Sequence, residues 1–130
     1  MIRFYLFIFI IILNFSFSQK IIIPMDQTQN DHLKAYGIVY SILEKKINIE
    51  WLLNYRGGSF LVDSYPFIQS DCKIKGVTFE MVNSKNLIQI YSIIDQNNMD
   101  ISLLEKKPEI AIYTPPNKQP WDGAVTLALT

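Results

Sequence analysis

Cysteine and histidine are almost absent from this chain: its 130 residues contain one of each, Cys72 and His32. A single cysteine forms no internal disulfide and provides too few ligands for a cysteine-rich zinc site. A single histidine excludes a metal centre built from several imidazoles. We therefore expect neither a metal ion nor another cofactor, and we interpret Cys72 as a half-buried apolar residue.

A net charge is also lacking, because 12 Lys and Arg residues balance 12 Asp and Glu residues. Proteins that bind nucleic acid through its phosphates need a basic surface, so the composition argues against nucleic acid as a partner. Apolar residues make up 49% of the chain and charged residues 18%. These fractions are typical of a folded domain with a real core rather than of a disordered chain.

The N-terminus, MIRFYLFIFIIILNFSFSQK, has the three parts of a secretory signal peptide. Arg3 supplies the positive charge, ten apolar residues follow from Phe4 to Leu13, and Ser16 and Ser18 are spaced as in a cleavage site. Cleavage after Ser18 predicts an exported protein, periplasmic or extracellular, that begins at Gln19. The apolar run is short for a bilayer, so no stable membrane span is expected after cleavage; an uncleaved anchor is the alternative.

Short apolar segments alternate with helical patterns along the rest of the chain. Strands are predicted at 20–25, 47–53, 57–62, 76–82 and 109–114, and helices at 32–46, 84–96 and from 121 onward. Residues 64–74 are ambiguous but suit a short helix begun by Pro66, and 97–108 is interpreted as a linker with a helical turn. The alternation indicates an α/β fold, with a mainly parallel, Rossmann-like or flavodoxin-like sheet flanked by helices.

The two internal helices have predicted apolar faces. In the first, the face consists of Leu33, Tyr36, Val39, Tyr40 and Leu43. In the second, Ser84 is the expected N-cap, and the face consists of Leu87, Ile90, Tyr91 and Ile94. The wholly apolar strand at 20–25 is predicted to be buried and to pair in parallel.

The last predicted helix runs from Trp121 to Thr130 without a stop signal, so we expect the chain to be a fragment of a longer protein. We divide it into a signal peptide (1–18) and an N-terminal α/β domain (19–105), which a further segment (106–130) follows.

Ligands of open α/β sheets bind at the carboxyl ends of strands. Three polar loops follow predicted strands: DQTQNDH (26–32), NYRGGS (54–59) and PPNKQPWD (115–122). If the first two strands are neighbours, the first two loops face each other. We predict a small-molecule or peptide-like ligand there, and the candidate residues are Asp26, Asn30, His32, Asn54, Arg56, Gly57, Gly58, Ser59, Asn117, Trp121 and Asp122.

The segment Arg56-Gly57-Gly58-Ser59 has three interpretations: a phosphate-binding loop, a turn with glycines at positive φ, or a site where Arg56 grips a carboxylate. A phosphate loop needs a helix after the glycines, but the strand-like SFLV follows, and the Walker and dinucleotide motifs are absent. We favour the turn. We also expect Arg56→Ala to leave the fold intact and to weaken ligand binding.

Catalytic groups are scarce. His32 is either a general base or a solvent-facing residue at a helix start, and the second interpretation is favoured. The motif G-x-S-x-G and a Ser/His/Asp constellation are absent, so no nucleophile is predicted.

The segments HLKAYG, WLLNYRGGSF and NKQPWD resemble a family of exported bacterial proteins that carries the automatic name asparagine synthetase B. The resemblance covers the mature chain. It implies that residues 106–130 are the start of a second, class I glutamine-amidotransferase-like α/β region, which begins near Glu109 and continues past Thr130. A glutamine-hydrolysing asparagine synthetase would have cysteine as residue 2 and an S-G-G-x-D-S loop for ATP. Here residue 2 is Ile2, and RGGSFLVDS has different spacing.

We therefore predict a ligand-binding α/β domain that does not itself synthesise asparagine. The alternative is an accessory domain of an amidotransferase-like or hydrolytic enzyme whose nucleophile lies beyond residue 130.

Overall fold

The structure, a computed structural model, describes residues 19–111 and Ala128. Eight elements follow one another: β1 (Lys20–Ile23), α1 (His32–Glu44), β2 (Ile49–Leu52), β3 (Ser59–Asp63), α2 (Pro66–Lys75), β4 (Glu80–Val82), α3 (Ser84–Gln96) and β5 (Ile101–Leu104). None of the helices in this part of the chain combines the length and the apolar character that a transmembrane span requires.

The five strands form one sheet in the order β4-β1-β3-β2-β5, and every neighbouring pair is antiparallel. The predicted mainly parallel, Rossmann-like or flavodoxin-like sheet is therefore wrong. The helices do connect strands that point the same way, but an antiparallel strand lies between them: β3 separates β1 from β2, and β1 separates β3 from β4. The first six elements have the β-α-β-β-α-β order of the split β-α-β, or ferredoxin-like, arrangement, to which α3 and β5 are added.

Strand β1 illustrates why the prediction of parallel strand pairing is wrong. Ile21 and Ile23 belong to the core on one face of the sheet, whereas Ile22 belongs to the core on the other. Continuous apolar runs are typical of parallel strands, because helices cover both faces of a parallel sheet. Here helices also cover both faces, but β1 pairs antiparallel, with Ile22 opposite Leu61 of β3. The run indicates burial on two sides and not strand direction.

Helices α1 and α2 pack on one face of the sheet. Asp31 is the N-cap of α1 and accepts a hydrogen bond from the Lys34 amide, an arrangement that favours helix initiation. The buried residues of α1 are Ala35, Ile38, Val39, Ile42 and Leu43. The predicted face was therefore rotated: Leu33, Tyr36 and Tyr40 are 82%, 52% and 40% exposed.

Helix α2 resolves the ambiguous segment 64–74. Pro66 occupies its first turn, where a missing amide hydrogen costs nothing, and Gly76 ends it in a left-handed conformation with φ of 71°. Cys72 lies on its inner side and is fully buried, not half-buried as predicted.

Helix α3 packs alone on the other face and connects the two edge strands, β4 and β5. Its N-cap is Asn83, which accepts from the Asn86 amide, and not the predicted Ser84. Ile90 and Ile94 are buried, with Leu87 and Tyr91 packed beside them, so the predicted face of this helix is confirmed.

The chain after α3 departs from the prediction. Residues 101–104, interpreted as part of a linker, form edge strand β5, and the strand predicted at 76–82 is confined to 80–82. Residues 109–111 are exposed and outside any strand. The remainder of that predicted strand, at 112–114, lies outside the described residues. So does the helix predicted from Trp121, apart from Ala128.

Candidate functional site

Two of the predicted ligand loops lie at the same end of the sheet. Strands β1 and β2 both end there, although β3 lies between them, and β3 and β4 begin there. Residues 24–31 follow β1, and residues 53–58 join β2 to β3. The Met25 amide donates to the Arg56 carbonyl at 3.1 Å, so the two loops are in direct contact.

Arg56 joins three segments through its guanidinium. Its Nε donates to Asp26 Oδ2 at 2.8 Å, and Nη1 and Nη2 donate to the two carboxylate oxygens of Glu80 at 2.9 and 2.8 Å. Nη2 also donates to the Thr28 hydroxyl at 3.1 Å. The two neighbouring carboxylates, Glu80 first, raise the pKa of Arg56 further above its usual range. The guanidinium of Arg56 therefore does bind carboxylates, as one of the three interpretations of this segment proposed, but these carboxylates are Asp26 and Glu80 of the same chain.

Asp26 is held in its charged form by the same arrangement. The Thr28 hydroxyl and amide donate to Oδ1, while Arg56 binds Oδ2. The hydrogen bond from the Thr28 side chain, followed by that from Arg56, lowers the pKa of Asp26 to about 2. A permanently ionised carboxylate suits a structural ion pair and is a poor general base near neutral pH.

The segment 54–59 is a tight turn. Asn54, Arg56, Gly57 and Gly58 all have positive φ, at 65°, 47°, 80° and 89°. The amides of Gly58 and Ser59 both donate to the Tyr55 carbonyl, so they are not free to surround a phosphate. The Ser59 hydroxyl, fully buried, donates to the carbonyls of Tyr55 and Arg56. This geometry supports the turn and argues against the phosphate loop.

The remaining loop candidates have local roles or lie elsewhere. His32 Nε2 is 3.1 Å from the carbonyl oxygens of both Met25 and Asp26, so the ring braces the start of α1. The Asn30 amide donates to the Thr78 hydroxyl at 3.3 Å, and Asn54 is exposed at its turn. Three candidates, Asn117, Trp121 and Asp122, lie outside the described residues.

A cavity of about 480 Å³ lies on the face of the sheet that carries α1 and α2, between α1 and strands β2, β3 and β5. Sequence reasoning did not single it out. Its walls come from Tyr36, Val39, Tyr40 and Leu43 of α1, from Trp51, Phe60 and Leu104 of the strands, and from Lys106 and Pro108 beyond β5. We call these residues the aromatic groove. Its volume is in the range of small-molecule sites.

The aromatic side chains at the floor of the aromatic groove contact one another. Trp51 and Phe60 stack with ring centroids 6.0 Å apart and planes 19° apart, and Tyr36 meets Phe60 edge-on at 5.9 Å. Trp51 Nε1 donates to the Gly58 carbonyl at 3.0 Å, which satisfies the indole and ties the floor to the turn at 54–58. The N–H of this partly buried indole is thus hydrogen-bonded without a ligand.

A smaller cavity of about 270 Å³ lies on the opposite face, beside the Arg56 turn. Tyr55, Arg56 and Glu80 line one side, and Asn86 and Gln89 of α3 line the other. Because the polar groups of Arg56 and Glu80 already bind each other, this cavity offers fewer unused donors than its composition indicates.

Groups suited to catalysis or metal binding are not brought together within residues 19–111. Cys72 is fully buried, and burial raises the pKa of its thiol to about 11, so it is not a nucleophile in the folded domain. In this part of the chain, no three His, Cys, Asp or Glu side chains are placed to hold a metal ion.

Comparisons with known proteins add no relative to this description: no family model, no curated protein and no solved structure matches the chain. What the fold and the two cavities define is an antiparallel α/β domain with a preformed aromatic groove.

Proposed function

We propose that this domain is a binding module of an exported protein and that it takes a small, largely apolar ligand in the aromatic groove. The proposal keeps the small-ligand function expected from the sequence but moves the site. The loops at the end of β1 and β2 hold each other through Arg56, whereas the groove is an unfilled cavity lined by aromatic side chains.

The observation that carries the proposal is the stacked pair Trp51 and Phe60 at the floor of a cavity of about 480 Å³. Ligand pockets are mostly apolar and aromatic, with few polar groups, and they are largely formed before the ligand arrives. The groove meets these criteria, because its rings are fixed by each other and by the Trp51–Gly58 hydrogen bond. Export remains part of the proposal, in line with the signal-peptide pattern.

A test uses the neutral fluorescent probe N-phenyl-1-naphthylamine, titrated into the exported chain. Leu104 of β5 lines the groove, whereas its neighbour Leu103 lies on the opposite face of the same strand and is 54% exposed. Leu104→Trp fills the groove, and Leu103→Trp is the matched control. Since an edge strand tolerates larger side chains, both variants are expected to retain the wild-type circular dichroism spectrum.

We expect the probe to bind wild-type protein and Leu103→Trp with equal affinity and Leu104→Trp at least tenfold more weakly. If the wild type does not bind the probe, or if all three proteins bind it equally, the groove is not the binding site.

A further inference from the structure

We infer that the ligand of the aromatic groove is an anion, namely a small molecule with an apolar body and one acidic group that pairs with Lys106. This inference rests on the proposed function and specifies the chemical class of its ligand. It follows from the charges at the rim of the groove.

Lys106 is the one charged residue among the described residues that line the groove. It lies two residues beyond β5, is exposed, and takes part in none of the ion pairs found in residues 19–111. A lysine of this kind rests its aliphatic stem on apolar surface while its ammonium group stays in water at the edge.

The next residue, Lys107, already forms an ion pair, so Lys106 is the lysine at this side of the groove that is left to bind an anion. Lys107 Nζ binds Glu44 Oε1 at 2.8 Å and lies 5.4 Å from the centroid of the Tyr40 ring. The Glu44 carboxylate at the end of α1 therefore already has a lysine partner, and that partner is Lys107. An anionic group on a ligand would meet Lys106 without competition from Glu44.

The shape of the groove supports the same ligand class. Trp51 and Phe60 present a flat apolar floor, and Lys106 lies on the wall beyond β5, at one side of the cavity. An aromatic or aliphatic body on the rings and an acidic group at the rim would satisfy both features. A neutral apolar ligand would use the floor alone.

The test compares two probes that share one ring system. The first is 8-anilinonaphthalene-1-sulfonate, and the second is N-phenyl-1-naphthylamine, which lacks the sulfonate. Lys106→Met removes the charge and keeps an apolar stem. Lys85 lies at an exposed position of α3 outside the groove, so Lys85→Met makes the same change in net charge and is the matched control.

At low ionic strength we expect Lys106→Met to weaken binding of the sulfonate about two- to fivefold, the range for a solvent-exposed ion pair. The neutral probe should bind this variant as it binds the wild type, and added salt should remove the difference for the sulfonate. Lys85→Met should leave both probes unaffected.

Equal weakening of the sulfonate in Lys106→Met and Lys85→Met would show that only net charge matters and would overturn the inference. So would unchanged sulfonate binding in Lys106→Met while the neutral probe still binds the groove, a result that would leave the proposed function standing. Failure of the neutral probe to bind the wild type would instead remove the proposed function itself.

Discussion

Arg56 Nε lies 2.8 Å from Asp26 Oδ2, and this contact joins the β2–β3 turn to the loop that leads into α1. The same guanidinium binds Glu80 at the start of β4, so one side chain connects three segments that are far apart in the sequence. Loops of this kind have little apolar surface to bury, and polar contacts must hold them in place. Arg56 is therefore first of all a structural residue.

From this geometry we expect Arg56→Ala to lower the free energy of unfolding by about 1.5–3 kcal/mol, the range for hydrogen bonds to charged groups. The side chain is 26% exposed, which places the effect in the lower part of that range. Urea denaturation measures it. The expectation drawn from the sequence, that Arg56→Ala leaves the fold intact, stays a prediction, and the contacts of Arg56 add to it a measurable loss of stability.

Lys107→Ala is the control for Arg56→Ala, because it breaks an ion pair whose two side chains are 41% and 56% exposed. Its effect on stability should be distinctly smaller. Comparable losses in the two variants would mean that the contacts of Arg56 add nothing beyond those of an ordinary surface pair.

Asp26 makes the stability of the domain dependent on acid. Its pKa is lowered to about 2 in the folded state, against about 3.9 in an unfolded chain. The ionised Asp26 carboxylate therefore makes its contribution to the free energy of unfolding above about pH 4, and that contribution is lost as the pH falls towards 2. We expect Asp26→Asn to be less stable than the wild type at pH 7, and the difference to shrink between pH 4 and pH 2.

The control for this pH dependence is Asp95→Asn, at an exposed position on α3. Denaturant titrations at pH 7 and at pH 2.5 give the comparison. A stability difference between wild type and Asp26→Asn that stayed constant across this interval would contradict a lowered pKa of Asp26 in the folded state.

Two glycines give opposite predictions for the same substitution. A Cβ at Gly57 would lie 2.6 Å from the carbonyl carbon of Met25, and φ at this position is +80°. Gly57→Ala is therefore expected to lower stability by about 2 kcal/mol or more, from strain and steric overlap. Gly37 lies at an exposed position of α1, and a Cβ there would have nothing within 4 Å, so Gly37→Ala should raise stability by about 0.5–1 kcal/mol.

Thermal denaturation of the two alanine variants and the wild type tests both the loss of stability expected for Gly57→Ala and the gain expected for Gly37→Ala. If Gly57→Ala melted with the wild type, the close approach of the two loops at Met25 would be wrong. If Gly37→Ala were destabilised, α1 would not be a regular helix at that point.

The sequence predicts local elements better than their arrangement, and β1 and β3 show why. The apolar run in β1 and the glycine turn before β3 are local features, so both strands were predicted near their observed positions. The insertion of β3 between β1 and β2 depends on contacts between distant segments, such as Ile23 opposite Phe60. Nothing in the local pattern specifies that pairing, and consecutive βαβ units favour the parallel alternative.

The candidate site shows the same limit. The expectation that the first two loops face each other rests on β1 and β2 being neighbours; β3 lies between these strands, yet the loops do meet. The second carboxylate partner of Arg56, Glu80, is placed by the pairing of β4 with β1. The sequence does not predict the aromatic groove, because its pattern places Tyr36 and Tyr40 on the buried face of the first helix. Their spacing of four suits a buried helix face, and only the position of α1 over β3 leaves them at the edge of a cavity.

Cys72 provides a probe of how the whole domain opens. Its side chain is fully buried in α2, and burial, with a smaller contribution from Asp71, raises the pKa of the thiol to about 11. Since the thiolate is the reactive form, both protection from solvent and the raised pKa should make the native protein unreactive to 5,5′-dithiobis(2-nitrobenzoic acid) at pH 8. In denaturant, one thiol per chain should react at once, as the sequence requires. The rate in native buffer should be higher in Gly57→Ala than in Gly37→Ala, because Cys72 reacts only when the domain opens and the less stable variant opens more often. Rapid reaction of the wild type in native buffer would mean that α2 separates from the sheet on its own, and that the burial of Cys72 does not report on the stability of the domain.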